Sequence, residues 1–109
     1  MPSISINNNF LTIINVFTVQ PHDQQKLMEL LTLATESSVI KLEGFISASL
    51  HRSIDGSKVT MYAQWRSMED YQKMRSNPGA SPYLTQALKM AKFEPGMYEV
   101  AQIFLPLAE

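Results

Sequence analysis

Hydrophobic positions fall into different rhythms along this chain. From Leu11 to Val19, LTIINVFTV, apolar and β-branched residues dominate, the pattern of a strand buried on both faces at the centre of a covered sheet. Further on, Leu27, Leu30, Leu31 and Ala34 recur at helical spacing and form one apolar stripe. Pro21 and Asp23 ahead of them suit a helix's first turn, by fixed φ and by charge against the dipole. After Gly44 the period drops to two: Ile46, Ala48 and Leu50 share one face, and Phe45, Ser47, Ser49 and His51 the other. Asp55-Gly56 predicts a hairpin turn, with a return strand from Val59 to Trp65. Val59, Met61, Ala63 and Trp65 then share a face opposite Thr60, Tyr62 and Gln64.

Ser67 with Asp70 three residues on makes a variant capping box, so a helix is expected from Met68. Asn77-Pro78-Gly79 breaks it, and Ser81-Pro82 restarts a helix whose apolar side is Leu84, Ala87, Leu88 and Ala91. Pro95-Gly96 ends that segment, and Met97 to Leu105 reads as the last strand. The order β-α-β-β-α-β predicts an α+β, ferredoxin-like split βαβ fold: a four-stranded antiparallel sheet with helices on one face. The other face is left bare, although Ile14, Val16, Val100 and Phe104 stand opposite further apolar residues on the first and last strands. A bare apolar sheet face marks an interface, so a homodimer packed through the open sheet face is expected.

A length of 109 residues fits one domain, here 10–109, behind a polar lead-in over 1–9. Cysteine is absent, and with only His22 and His51 a zinc site would need carboxylates, so no metal is expected. Nine basic and ten acidic residues leave a formal charge of -1, which provides no footprint for nucleic acid or for an anionic membrane surface. Neither a secretion signal nor a membrane-spanning run is visible, so a cytoplasmic protein is expected.

The stretches GFISASLHRSIDG and VTMYAQWRSMEDY, on a small split-βαβ chain, resemble the antibiotic biosynthesis monooxygenase (ABM) domain over about residues 10–106. The resemblance implies a dimeric α+β barrel. In characterised members it implies a monooxygenase that turns an electron-rich aromatic into a quinone with dioxygen, using no metal or flavin. It assigns the strand-end tryptophan to Trp65, the following tyrosine to Tyr71 and the histidine before the hairpin to His51. It also marks a departure: the polyketide-oxidising members carry an asparagine where this chain has Met61, a thioether with almost no hydrogen-bonding capacity. A haem-degrading branch of the superfamily uses a first-strand asparagine, the tryptophan and an axial histidine. Asn15 and Trp65 match two of these, but no histidine follows residue 51 and Arg75 stands near the ligand's place.

Oxygenation without a cofactor needs a substrate that can itself donate an electron to dioxygen, and a protein that moves a proton, steadies an anion and excludes water. Trp65 and Tyr71 are the candidate pocket walls, and His51, with an ordinary pKa of about 6.5, is the candidate base. Its face depends on the hairpin: a two-residue turn places it opposite Thr60, away from Trp65, and a glycine bulge places it beside Trp65. Asn15, Met61 and Arg75 are candidate contacts for a small apolar aromatic ligand, Arg75 as an attraction for an anionic one. Each residue also has a purely structural reading, as core, interface amide or solvated charge. Three functions therefore stand side by side: monooxygenase, non-catalytic binder of an aromatic ligand, and haem-binding relative.

Overall fold

The computed structural model describes residues 10–76 and 81–107. The lead-in expected over 1–9 and the break expected at Asn77-Pro78-Gly79 lie outside those residues. Strand β1 (Leu11–Thr18) leads through a tight turn at Pro21–Asp23 into helix α1 (Gln24–Ser37). Strands β2 (Phe45–Arg52) and β3 (Lys58–Trp65) form the hairpin, followed by helices α2 (Met68–Arg75) and α3 (Ser81–Met90). Two short strands close the order, β4 (Lys92–Glu94) and β5 (Met97–Tyr98).

The sheet runs β2-β3-β1-β4, with β5 pairing β1 alongside β4, and the described pairings are antiparallel. This is the expected α+β ferredoxin-like arrangement, with β1 central. Leu27, Leu30, Leu31 and Ala34 are all buried, so the α1 stripe packs as its spacing predicts. The side chain of Ser67 caps α2 by accepting the Asp70 N–H at 3.2 Å.

Three expectations need correction. First, a β-bulge interrupts β2 between Phe45 and Ser47. One extra residue reverses the alternation, so Phe45 pairs with Trp65 and shares the helix-covered face with Ala48 and Leu50, while Ile46 is half-exposed. Second, the last strand is not continuous. Proline has no N–H for the ladder, so β4 and β5 flank Pro95-Gly96, and residues 99–107 carry no regular secondary structure. Phe104, Leu105 and Leu107 on that segment are 85%, 82% and 94% exposed. Third, the hairpin connection spans residues 54–57: Ser53 N–H donates to Lys58 O at 2.9 Å, and Gly56 N–H to Ser53 O at 3.1 Å. Gly56 takes φ +84°, which a side chain would strain.

Candidate functional site

The register of the central strands decides which side chains meet beneath the helices. Asn15 pairs with Met61, Ile13 with Ala63 and Leu11 with Trp65, so an amide and a thioether lie side by side on the helix-covered face. Around them the sheet and helices do not close. A hollow of about 280 Å³ remains, bordered by Asn15, Met61 and Trp65 from the sheet, Thr35 from α1, Tyr71 and Arg75 from α2, and Leu88 from α3.

Its aromatic wall is made of rings meeting edge to face. Trp65 is 1% exposed, with its ring centroid 5.4 Å from that of Phe45 at 78° and 5.9 Å from that of Tyr71 at 61°. The Phe17–Phe93 stack, with centroids 4.8 Å apart, also borders the hollow. Such a lining suits a flat ring system and leaves few groups to hold water.

Polar groups at the hollow are few. Gly96 N–H donates to Asn15 Oδ1 at 3.3 Å, at the point where Pro95 interrupts the edge strand. With its oxygen engaged there, the Asn15 amide keeps its NH2 donors. Thr35 and Thr85 add hydroxyls, and Arg75 is the one charged residue in the lining, with no ion pair among the described residues. The described residues contain no group of three or more His, Asp or Glu side chains placed to hold a metal ion.

Of the residues singled out from sequence, Trp65, Tyr71, Asn15, Met61 and Arg75 all border this hollow. His51 does not. It pairs with Thr60, on the sheet face away from Met61 and Trp65, where it is exposed and lies 2.9 Å from Ser49 Oγ through Nε2. The register is that of the two-residue-turn alternative, so His51 stands on the other face of the sheet from the hollow. His22, exposed on the turn before α1, also lies outside the lining. Phe45 and Thr35 were missed from sequence. Phe45 was hidden by the bulge; the glycine just before it was the available signal that the backbone there departs from a plain strand.

Behind the aromatic wall sits a charged cluster. Asp70 is 4% exposed and accepts from Arg66 Nε at 2.8 Å, from Arg66 Nη2 at 3.0 Å and from Ser67 Oγ at 2.9 Å. The Arg66 guanidinium and then the Ser67 hydroxyl hold the Asp70 carboxyl below its ordinary pKa, and Asp70 in turn raises that of Arg66.

Among the described residues no helix is long and apolar enough to cross a membrane. Comparison with known proteins agrees with the geometry. Residues 10–84 match the family described as antibiotic biosynthesis monooxygenase. The tetracenomycin-F1 monooxygenase of Streptomyces glaucescens is 36% identical over 104 residues, covering 95% of this chain and 93% of that protein. Among solved structures, the ActVA-Orf6 monooxygenase of Streptomyces coelicolor, in complex with nanaomycin D, superposes with a TM-score of 0.76 at 29% identity, covering 94% of this chain and 99% of that one. SnoaB of Streptomyces nogalater, a cofactor-independent oxygenase, shares the fold with a TM-score of 0.69 at 22% identity, covering 90% of this chain and 98% of that one. With the family match spanning most of the chain and the full-length relative above, this protein belongs to the antibiotic biosynthesis monooxygenase family.

Proposed function

We propose that this chain catalyses cofactor-independent monooxygenation of a flat, electron-rich aromatic, with the hollow as its reaction chamber. The observation that carries the reading is a ring-lined space holding one oriented amide, Asn15, whose oxygen is tied to Gly96. Met61 is the cross-strand partner of Asn15, so the hydrogen-bonding group absent at position 61 has its counterpart one strand over. The names of the relatives support the substrate class: one acts on tetracenomycin F1 and another was solved with nanaomycin D.

The chemistry asks little of the protein. A hydroxyanthrone-type substrate loses a proton to solvent to give a resonance-stabilised anion and passes an electron to dioxygen. The radical pair joins on the same carbon as a peroxide, which takes a proton back from solvent. Loss of water leaves a quinone carbonyl. One oxygen atom stays in the product, the other leaves as water, and the substrate supplies every electron. The Asn15 NH2 group steadies the anionic oxygen, and the Arg75 cation at the rim favours the ionised substrate. Trp65, Phe45 and Tyr71 provide the stacking surface and keep water out.

The test is oxygen uptake with 1,8-dihydroxyanthrone, with the quinone followed by absorbance. Asn15→Leu should lower kcat by about 10²–10³-fold, the usual effect of removing one oriented donor, measured well below its melting temperature because the Gly96 N–H loses its acceptor. Equal turnover by the variant would remove the amide from the mechanism. Met61 favours a second reading, a binder without turnover, which would show as quenching of Trp65 fluorescence by the same compound with no oxygen consumed. A haem-binding role finds no histidine at the hollow to serve as axial ligand.

The same proposal includes a homodimer through the open sheet face. On that face Ile14 and Val16 are only half-buried, and the Thr12 and Tyr62 hydroxyls are buried with no hydrogen-bond partner among the described residues. The exposed apolar segment 99–107 supplies further surface that a second copy would cover.

A further inference from the structure

The aromatic walls of the hollow share a feature in their chain neighbours. Phe45 follows Gly44, Trp65 precedes Arg66 and Tyr71 follows Asp70, and these neighbours meet in one cluster on the far side of the rings. Arg66 N–H donates to Gly44 O at 2.7 Å, which ties the end of β3 to the start of β2. The Arg66 guanidinium then grips Asp70 with both Nε and Nη2, at 2.8 and 3.0 Å, which ties the end of β3 to the first turn of α2. Gly44, at φ +87°, lies so close that a Cβ there would collide with the Asp70 carboxyl group. Ser67 links to the same carboxylate, and Glu43 Oε2 stands 3.6 Å from Arg66 Nη2, the nitrogen that also donates to Asp70.

We infer that the Arg66–Asp70 fork, seated on Gly44, is a positioning device that sets the spacing and tilt of Phe45, Trp65 and Tyr71 around the bound ring. It acts through those residues and does not touch the hollow: neither Arg66 nor Asp70 is in the lining. An ion pair whose guanidinium is half exposed is a weak source of stability, because water screens its attraction. What a two-point guanidinium fork adds is direction, since both N–H donors align only when strand end and helix start hold one relative angle. Any opening of the corner between β3 and α2 breaks one of these bonds. The rings on either side of the corner are therefore fixed without a covalent link.

This inference rests on reading the hollow as the substrate site, and its test separates the two. Arg66→Lys keeps the charge and removes the fork, Asp70→Asn keeps the shape and removes the charge, and Val19→Ala supplies a variant of reduced stability outside the lining. Kd for 1,8-dihydroxyanthrone is read by Trp65 fluorescence under anaerobic conditions, kcat by oxygen uptake well below each melting temperature, and Trp65 environment by near-ultraviolet circular dichroism. Arg66→Lys should raise Kd and lower kcat by about tenfold or more, the scale on which small misplacements act, and should weaken the tryptophan band. Val19→Ala should lose stability while keeping both constants. Arg66→Lys with Kd and kcat within twofold of the parent overturns the inference, as does a loss in Val19→Ala equal to that in Arg66→Lys. If the parent binds the compound without turnover, the oxygenase reading fails and the Kd comparison still judges the fork. Should Asp70→Asn fail to fold, Arg66→Lys decides alone.

Discussion

At one end of the helix–sheet layer, Val19, Leu27, Val59 and Ala87 close on one another, and Leu27, Val59 and Ala87 are fully buried. At the other end, Ile13, Ala63, Trp65 and Tyr71 are almost as well removed from water, yet they border a hollow of about 280 Å³. The two regions share the sheet but not the helices: the first packs under α1 and α3, the second under α2, and Phe17, Leu31, Leu84 and Phe93 of the first turn one side toward the hollow. Branched aliphatic groups interdigitate and fill gaps to near-crystalline density. Rings that meet edge to face, 5.4 and 5.9 Å between centroids, hold one another apart and leave flat space between walls. A core can thus be dry throughout and solid only in part.

The largest expected effect tests the solid half. Leu27→Ala should cost about 2–5 kcal/mol in chemical denaturation, since it deletes a side chain with neighbours all around. Met61→Ala should cost roughly half as much or less, because one side of Met61 already faces empty space and has fewer contacts to lose. Equal losses would mean that the hollow closes in solution. A smaller effect on stability comes from filling it: Ala48→Leu, at the edge of the hollow, should change unfolding free energy by less than about 1.5 kcal/mol, whereas the added volume should weaken binding of 1,8-dihydroxyanthrone in the fluorescence titration. Unchanged binding would place the ligand elsewhere.

The smallest effect lies outside both halves and calibrates them. In the hairpin loop, Asp55 accepts from Ser57 N–H at 2.9 Å and from the Ser57 and Ser53 hydroxyls at 2.7 and 2.8 Å. These bonds, the Ser57 backbone bond first, lower its pKa from 3.8 to about 2. A depressed carboxyl stabilises the fold above the unfolded pKa and loses that contribution as pH falls through the folded one. The stability advantage of the parent over Asp55→Asn should therefore be constant at neutral pH and shrink between about pH 4 and pH 2. A gap that widened on acidification would contradict the hydrogen bonds seen here.

Most of the fold was legible because each element carried its own period and punctuation. The Leu27, Leu30, Leu31, Ala34 stripe and the Ser67–Asp70 cap are local signals, and local signals survive into the folded chain. The illegible parts depend on pairing between distant strands. Nothing in FISASLHR announces that the extra residue sits at Ile46, yet that bulge moves Phe45 into the hollow. Only the hairpin register, open from sequence, decides that His51 faces away from Trp65. For the same reason Asn15 and Met61 could be named separately but not as neighbours, and the grip of Arg66 on Asp70 was invisible because the sequence showed Asp70 only as the partner of the Ser67 cap.

The contact between Asn15 and Gly96 adds a side-chain bond where β4 and β5 already pair with β1 and Ile14 N–H donates to Gly96 O at 3.0 Å. Its carbonyl end is moored to the residue from which β5 and then the exposed segment 99–107 run outward. Whatever pulls on that segment tugs at the mooring. In this architecture the exposed C-terminal stretch is thus coupled, through Gly96, to the amide that borders the hollow.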